Sequence, residues 1–450
     1  MPKQQKQIER KKVNRFSDLI ITFYLVIISI ILIFIFYRFF TENFSKQYLF
    51  SKLGIILLIV SVILLIILGI KYKSKENISI LLISISFAFY LLESSFILKN
   101  YYDEKKSFHE EKINKSKSKK EIYNILKKKE KIVPSFSLNK FFENKPKFGD
   151  KELILLTLPS HTKVISCLKN NEWKYYKTDR YGFNNNDEIW NSKNKIFMLG
   201  DSFGVGECVN YDDSLAGRIS NSLKEYELIN LSQTGNGPLL ELATFLEYAD
   251  IFKPKILIWF YFEGNDLLEL KNEKKQKLLL KYVNEKNFSQ KLSSKQEYID
   301  NYIFDAIEQY SSSIPIKSKL SKQNLYSFFT LSNLRGKVNF FQNDYNSRVF
   351  RNIDSLFFRI INQINLNIKN NNGNFYFVYL PTEKNISDKH YALSKNKIVN
   401  FLKKENINLI DAELVFKNQK TIFDPINDHY TAEVYKLISD KVIEIINLDD

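Results

Sequence analysis

Thiols and imidazoles are scarce in this sequence: 450 residues hold two cysteines, Cys167 and Cys208, and four histidines. So few cysteines exclude a disulfide-dense scaffold, and none of His109, His161, His390 and His429 stands at zinc-ligand spacing from them. No metal and no other cofactor is expected. Glycine is sparse as well, 13 in all. Gly200, Gly204 and Gly206 miss the G-x-G-x-x-G pattern of a dinucleotide site, and no Gly-Lys-Ser/Thr run supplies a phosphate loop. The net charge of +16 is spread along a chain biased throughout to Lys, Asn, Ile, Phe and Tyr. Its densest basic run, Lys105 to Lys131, is interrupted by Glu110, Glu111, Glu121 and Glu130. Such a run reads as a solvated linker or helix, so no nucleic-acid partner is expected.

Long apolar runs are what the chain does have. Phe16 to Phe40, Gly54 to Ile70 and Ile78 to Leu98 are each about long enough to cross a ~30 Å hydrocarbon core. The first is too long for a signal-peptide core and lacks a small-residue cleavage site, so three retained transmembrane helices are expected over 16–98. Lys3, Lys6, Arg10, Lys11, Lys12 and Arg15 precede the first run. The next loop carries only Lys46 and Lys52, and the one after it Lys71, Lys73 and Lys75. The positive-inside bias then places the basic tail, 1–15, in the cytoplasm and everything after the third span outside it, in a bacterial-type cell membrane. In that oxidising location Cys167 and Cys208 are expected to form a disulfide.

Beyond a Lys-rich linker (99–131), the segment 132–194 has scattered aromatics and prolines without strong periodicity. It is expected to pack as a lead-in on the main domain. From Lys195 the pattern alternates. Short apolar strands are expected at Ile196–Leu199, Leu228–Leu231, Ile256–Phe262, Asn374–Leu380 and Ile407–Asp411. Helices are expected between them, from Asp213 to Tyr226 and from Leu239 to Phe252, and at the end from Thr431 to Ile446. Strand and helix in alternation imply a doubly wound parallel α/β sheet over 195–447. The stretch 267–347 fits no such repeat and is expected to be a helical insertion above the strands' carboxyl edge, where ligands bind in open α/β sheets.

The residues at that edge carry chemistry. After the first strand stands Gly200-Asp-Ser-Phe-Gly204, after the second Gly235, after the third Gly264-Asn-Asp266, and before the last helix Asp424, Asp428 and His429. Acyl transfer needs a nucleophile, a base and oxyanion donors. Ser202 on a turn, the backbone N–H groups of Ser202 and Gly235, the Asn265 amide and the nearby imidazole of His429 supply these types. Asp266 is expected to cap a helix, and Trp259 to fill the core.

These blocks, in this order, resemble those of the SGNH/GDSL hydrolases, over about Lys195 to Ile446. Upstream, Asp179-Arg-Tyr-Gly-Phe-Asn is similar to a segment ahead of this domain in bacterial envelope members. The resemblance implies an SGNH-hydrolase (flavodoxin-like) fold, Ser202 as nucleophile, His429 as base, and Ser202, Gly235 and Asn265 as the oxyanion hole. The G-x-S-x-G elbow of the α/β-hydrolases is not expected in this chain. One departure stands out. The family's usual Asp three residues before the His is here Ile426, which leaves Asp424 or Asp428 to orient His429, Asp424 being preferred. The implied activity is a membrane-anchored esterase removing an O-acyl group, acetyl above all, from a glycan, glycolipid or small ester. The alternatives are an O-acyltransferase working with a multispanning partner on an envelope polysaccharide, and a non-catalytic binding protein on the same fold.

Overall fold

The computed structural model describes residues 3–41, 58–69, 72–113, 119–169, 172–192, 194–249, 252–313, 328, 352–382, 389–416, 419, 421–424 and 428–449. The chain divides into two units, Met1–Phe108 with Ile316–Tyr345 and His109–Pro315 with Asn346–Asp450.

In the first unit, α1 (Lys3–Thr41), α2 (Leu58–Leu68) and α3 (Tyr72–Ile113) carry the apolar runs. α1 and α2 share a small buried cluster of Ile21, Ile28, Leu64 and Ile67, against which Ile78 and Leu82 of α3 pack. Lys75 Nζ lies 2.9 Å from Asp18 Oδ1, and the Tyr24 hydroxyl meets Ser86 Oγ at 2.6 Å. Partner numbers rise together, so α1 and α3 run parallel. Outward-facing Leu19, Ile33 and Phe87 are 67%, 70% and 65% exposed, an apolar surface that water does not favour. Among the described residues, the helical stretch Lys75–Lys99 is long and apolar enough to cross a membrane, and α2 is shorter. Positions 54–57 and 70 of the second expected span lie outside the described residues. The linker is partly helical: α3 runs to Ile113, and α4 covers Lys119–Leu126.

The second unit is built on five parallel strands: β6 (Lys195–Leu199), β7 (Glu227–Asn230), β8 (Ile256–Phe262), β9 (Asn374–Leu380) and β10 (Asn408–Asp411). Their order across the sheet is β10-β9-β8-β6-β7, the doubly wound 2-1-3-4-5 arrangement with its switch point beside β6. The strands are apolar on both faces because both are covered. Ile258 and Phe260 point to a core closed by α6 (Leu215–Ser222) and the last helix (Ala432–Asp449). Leu257, Trp259 and Tyr261 point to the opposite core with α7 (Pro238–Thr244) and a helix at Ser355–Asn370. The second expected helix is shorter than its pattern implied: α7 passes into a π-helical turn at Phe245–Ala249.

The lead-in segment, without period in sequence, forms a sheet of its own. β1 (Ile132–Pro134) pairs parallel with β4 (Lys163–Lys169), and β4 pairs antiparallel with β5 (Glu172–Lys177). Between β1 and β4 the chain makes a small hairpin of β2 (Lys147–Phe148) and β3 (Lys151–Glu152). Val133, Leu156 and Val164 join the core on the Trp259 side. The described part of the insertion is helical: α8 (Asp266–Glu273), α9 (Lys277–Asn284) and α10 (Gln296–Ser313). The lead-in is fastened to α10 by Ser160 on Asp300, 2.8 Å from the backbone N–H, and by the Tyr302 hydroxyl on the Asn144 carbonyl, 2.8 Å. Phe328, farther along the insertion, lies in the first unit, its ring 5.0 Å from that of Tyr90.

Candidate active site

β6 ends at Leu199, and the chain turns through Gly200 and Asp201 into the short helix α5 (Ser202–Val205). The Asp201 carboxylate caps that helix by accepting from the Phe203 N–H at 2.9 Å. It also accepts from the Asn265 amide at 3.1 Å, which ties the loop after β8 to the loop after β6. The loop after β7 is tied in by the Gln233 N–H, which donates to the Gly200 carbonyl at 3.2 Å. The run Gly200 to Gly204 does carry the G-x-S-x-G spacing of a nucleophile elbow. The backbone distinguishes it: Ser202 is not among the positive-φ residues but begins a helix.

His429 Nε2 stands 2.8 Å from Ser202 Oγ, within hydrogen-bond reach of a residue 227 positions away. Its ring packs 4.8 Å from Phe203, and the following Tyr430 hydroxyl donates to the Pro381 carbonyl at 2.6 Å. The loop bearing it closes on itself, since the Asp424 N–H donates to the His429 carbonyl at 2.7 Å. Of the two candidate acids, Asp428 is exposed in a left-handed turn at φ 55°, whereas Asp424 is 8% exposed. Asp424 Oδ2 lies 3.0 Å from Lys169 Nζ on β4, a cation that sequence order does not connect to it. Ile426 lies outside the described residues.

Gly235 has φ +73°, and a side chain there would meet Ser137 of the lead-in at 2.6 Å. Its carbonyl accepts from the Asn139 amide at 3.1 Å, and the same amide donates to Glu269 of α8 at 2.9 Å.

A carboxylate not singled out from sequence also faces the pair. Glu207 Oε2 is 3.9 Å from His429 Nε2, and its other oxygen accepts from the Thr234 hydroxyl at 2.6 Å. The Glu207 N–H donates to the Ser202 carbonyl at 3.2 Å. The neighbouring Cys208 is disulfide-bonded to Cys167 of β4, Cα to Cα 5.5 Å, which anchors this turn to the lead-in sheet. No spacing rule marks Glu207; only the fold of the turn brings it to the imidazole.

The segment Asp179 to Asn185 acts as a clamp under the nucleophile turn. The buried Asp179 carboxylate accepts from the backbone N–H groups of Tyr181 and Phe183, from the Asn185 amide and from Trp190 Nε1, at 2.8–3.0 Å. Asn185 bonds both backbone groups of Asn230, and the Asn230 amide donates to the Gly204 carbonyl at 2.8 Å. Burial raises the Asp179 carboxyl above the usual range in spite of these donors.

Acidic groups also lie buried beneath the site. Burial pushes Asp201 up to about 6, against its bonds from Phe203 and Asn265. It pushes Glu273, which accepts from the Gly237 and Leu239 N–H groups at the start of α7, up to about 8. Glu241, bonded by Trp259 Nε1 at 2.6 Å, and Asp266 are both held well above the carboxylate range by burial and then by a neighbouring carboxylate, Asp201 for Glu241 and Glu241 for Asp266. Asp266 is not the cap of α8, a position taken by Asn265; its carboxylate accepts from the Phe262 N–H at 2.8 Å. Trp259 does fill the core.

No protein-family model and no curated protein matches the chain. Solved structures do. One is a member of the lipolytic protein G-D-S-L family from Veillonella parvula, at 13% identity, covering 56% of this chain and 98% of that one with a TM-score of 0.29. Another is a psychrotrophic esterase from Pseudoalteromonas sp., at 10% identity, 57% and 100% coverage and a TM-score of 0.30. A catalytic mutant of an acetylxylan esterase from Geobacillus stearothermophilus matches at 11% identity, 57% and 94% coverage and a TM-score of 0.29. The 2-1-3-4-5 parallel sheet and the Ser202–His429 pair are what the resemblance to the SGNH/GDSL hydrolases implies.

Proposed function

We propose that this chain is a membrane-anchored serine esterase that removes an O-acyl group through an acyl-Ser202 intermediate. The observation that carries this reading is the 2.8 Å approach of His429 Nε2 to Ser202 Oγ at the carboxyl edge of the sheet. His429 takes the hydroxyl proton as Oγ attacks the ester carbonyl, then returns it to the departing alcohol. Water, deprotonated by the same imidazole, releases the acid. The developing oxyanion is met by the backbone N–H groups of Ser202 and Gly235 and by the Asn265 amide, whose other hydrogen is held by Asp201. Glu207 Oε2, 3.9 Å from Nε2, faces the ring nitrogen that exchanges protons with Ser202. Asp424 orients His429 from the loop both share, while its ion pair with Lys169 fixes that loop to β4.

In this reading the domain limits are those of the sequence, with the membrane region at 16–98 and the hydrolase domain at 195–447. Three spans are favoured by the parallel course of α1 and α3, since two parallel neighbours joined by a returning α2 cross an odd number of times, and the basic tail favours a cytoplasmic N-terminus. The apolar outward faces of these helices suit lipid. The disulfide suits an extracytoplasmic location for the second unit.

Hydrolysis of 4-nitrophenyl acetate by the full chain in detergent tests the esterase reading, with His429→Ala as control. Equal turnover by wild type and variant contradicts it. Adding a sugar acceptor during turnover separates water from a sugar hydroxyl as the second substrate, because a transferase yields the O-acetylated sugar at the expense of acetate.

A further inference from the structure

Between the lead-in segment and the insertion helices lies a groove of about 1450 Å³, larger than the ~300–1,000 Å³ typical of a small-molecule pocket. An acetyl group alone needs no such space. The groove lies beside the Gly235 loop, because two of its lining residues, Ser137 and Asn139, are those that pack against Gly235 and bond its carbonyl.

Features of the lining unused by the acyl chemistry point to one kind of occupant. Phe136, Phe141 and Tyr302 form a row of edge-on rings, 5.9 and 5.7 Å between centroids, the apolar faces on which sugar rings rest. Amides line it as well, among them Asn272 and Gln276. A polyhydroxylated chain can exchange hydrogen bonds with such groups, which an acyl chain cannot. Charge completes the case. Lys119, Lys120, Lys140 and Lys275 line the groove against two carboxylates, Glu143 and Glu269, and Glu269 is already engaged by Asn139.

Building on the esterase reading, we propose that this groove is the subsite for an anionic sugar chain whose O-acyl ester is presented to Ser202 past Gly235. The substrate is therefore a negatively charged polysaccharide rather than a neutral glycan or a small ester.

The test uses the full chain in detergent with O-acetylated oligogalacturonide and O-acetylated xylo-oligosaccharide of matched length. Binding is measured by calorimetry on the Ser202→Ala protein, so that it does not depend on turnover. The anionic oligosaccharide is expected to bind at least about tenfold tighter than the neutral one at low salt. Lys140→Gln with Lys275→Gln, both exposed positions, is expected to weaken it about tenfold, that is by about 1.4 kcal/mol for the two exposed pairs together. In the active protein the same pair of substitutions lowers the ratio of kcat/KM for oligogalacturonide to that for 4-nitrophenyl acetate by a similar factor. Equal binding of the two oligosaccharides, or no effect of the lysine substitutions in a folded protein, overturns the groove assignment. A wild type inert to 4-nitrophenyl acetate overturns the esterase reading instead, and the calorimetry still decides the groove.

Discussion

Replacing Gly235 by alanine puts the proposed oxyanion loop under a load that the structure allows to be sized. The backbone at φ +73° is left-handed, which costs an L-residue about 1–2 kcal/mol. The new Cβ would stand 2.6 Å from Ser137 Oγ and 2.7 Å from Ser137 Cβ, and overpacking of that kind costs about 1–3 kcal/mol. The two costs together load the loop by about 2–5 kcal/mol, and as it moves away from Ser137 to relieve the contact its N–H moves with it. Loss of one oxyanion donor lowers kcat about 10²–10³-fold. Thermal unfolding and hydrolysis of 4-nitrophenyl acetate read the two effects separately. Ser137→Gly combined with Gly235→Ala removes the contact but keeps the left-handed strain. Glycine at the Ser137 cap, which accepts the Asn139 N–H at 3.3 Å, itself costs a few tenths of a kcal/mol. The double variant is therefore expected to regain part of the melting temperature and part of kcat. A single Gly235→Ala variant with wild-type kcat and an unchanged melting temperature would refute this placement of the loop.

Other consequences are as specific. Asp179→Ala strands Trp190 Nε1, the Asn185 amide and two backbone N–H groups in the interior, and should destabilise the second unit by about 3–5 kcal/mol in urea unfolding. Cys167→Ser with Cys208→Ser opens a closure spanning 41 positions, worth about 4 kcal/mol in the chain-entropy view, and a urea midpoint equal to wild type would contradict it. Acid stability follows from the buried carboxyls. Asp201 at about 6, Glu263 at about 7 and Glu273 at about 8 hold protons more tightly folded than unfolded. Their contribution is full below about pH 4 and is lost as pH rises toward 8. Glu273→Gln should flatten the fall in urea midpoint between pH 5.5 and 8.5, and an unaltered slope would remove Glu273 from the account.

Much of this could be read along the chain, and the failures have physical causes. The strands at Ile256–Phe262 and Asn374–Leu380 were legible because a parallel strand covered on both faces is apolar throughout, and few other short segments are. Ser202 and His429 were legible as a pair because both fall where the pattern switches between strand and helix, at the edge that binds ligands. Strand order was not, since nothing local says that β6 lies between β7 and β8. The lead-in sheet was hidden because β4 carries an irregular register between Ile165 and Leu168 and β5 is largely exposed, so no clean alternation survives. Glu207 and Lys169 were hidden for a different reason: each meets its partner only through the turn and sheet that the Cys167–Cys208 bridge joins. Asp266 reads as a cap by position, yet the backbone turns one residue earlier and leaves its carboxylate for Phe262.

The central claim is that Ser202 is a nucleophile activated by His429. Labelling the full chain with a fluorophosphonate probe tests it directly, beside Ser202→Ala and His429→Ala proteins with the same circular dichroism. The expected result is stoichiometric labelling of wild type that vanishes in the first variant and slows at least about a hundredfold in the second. Absence of labelling in folded wild-type protein, or labelling that persists in Ser202→Ala, would contradict the account.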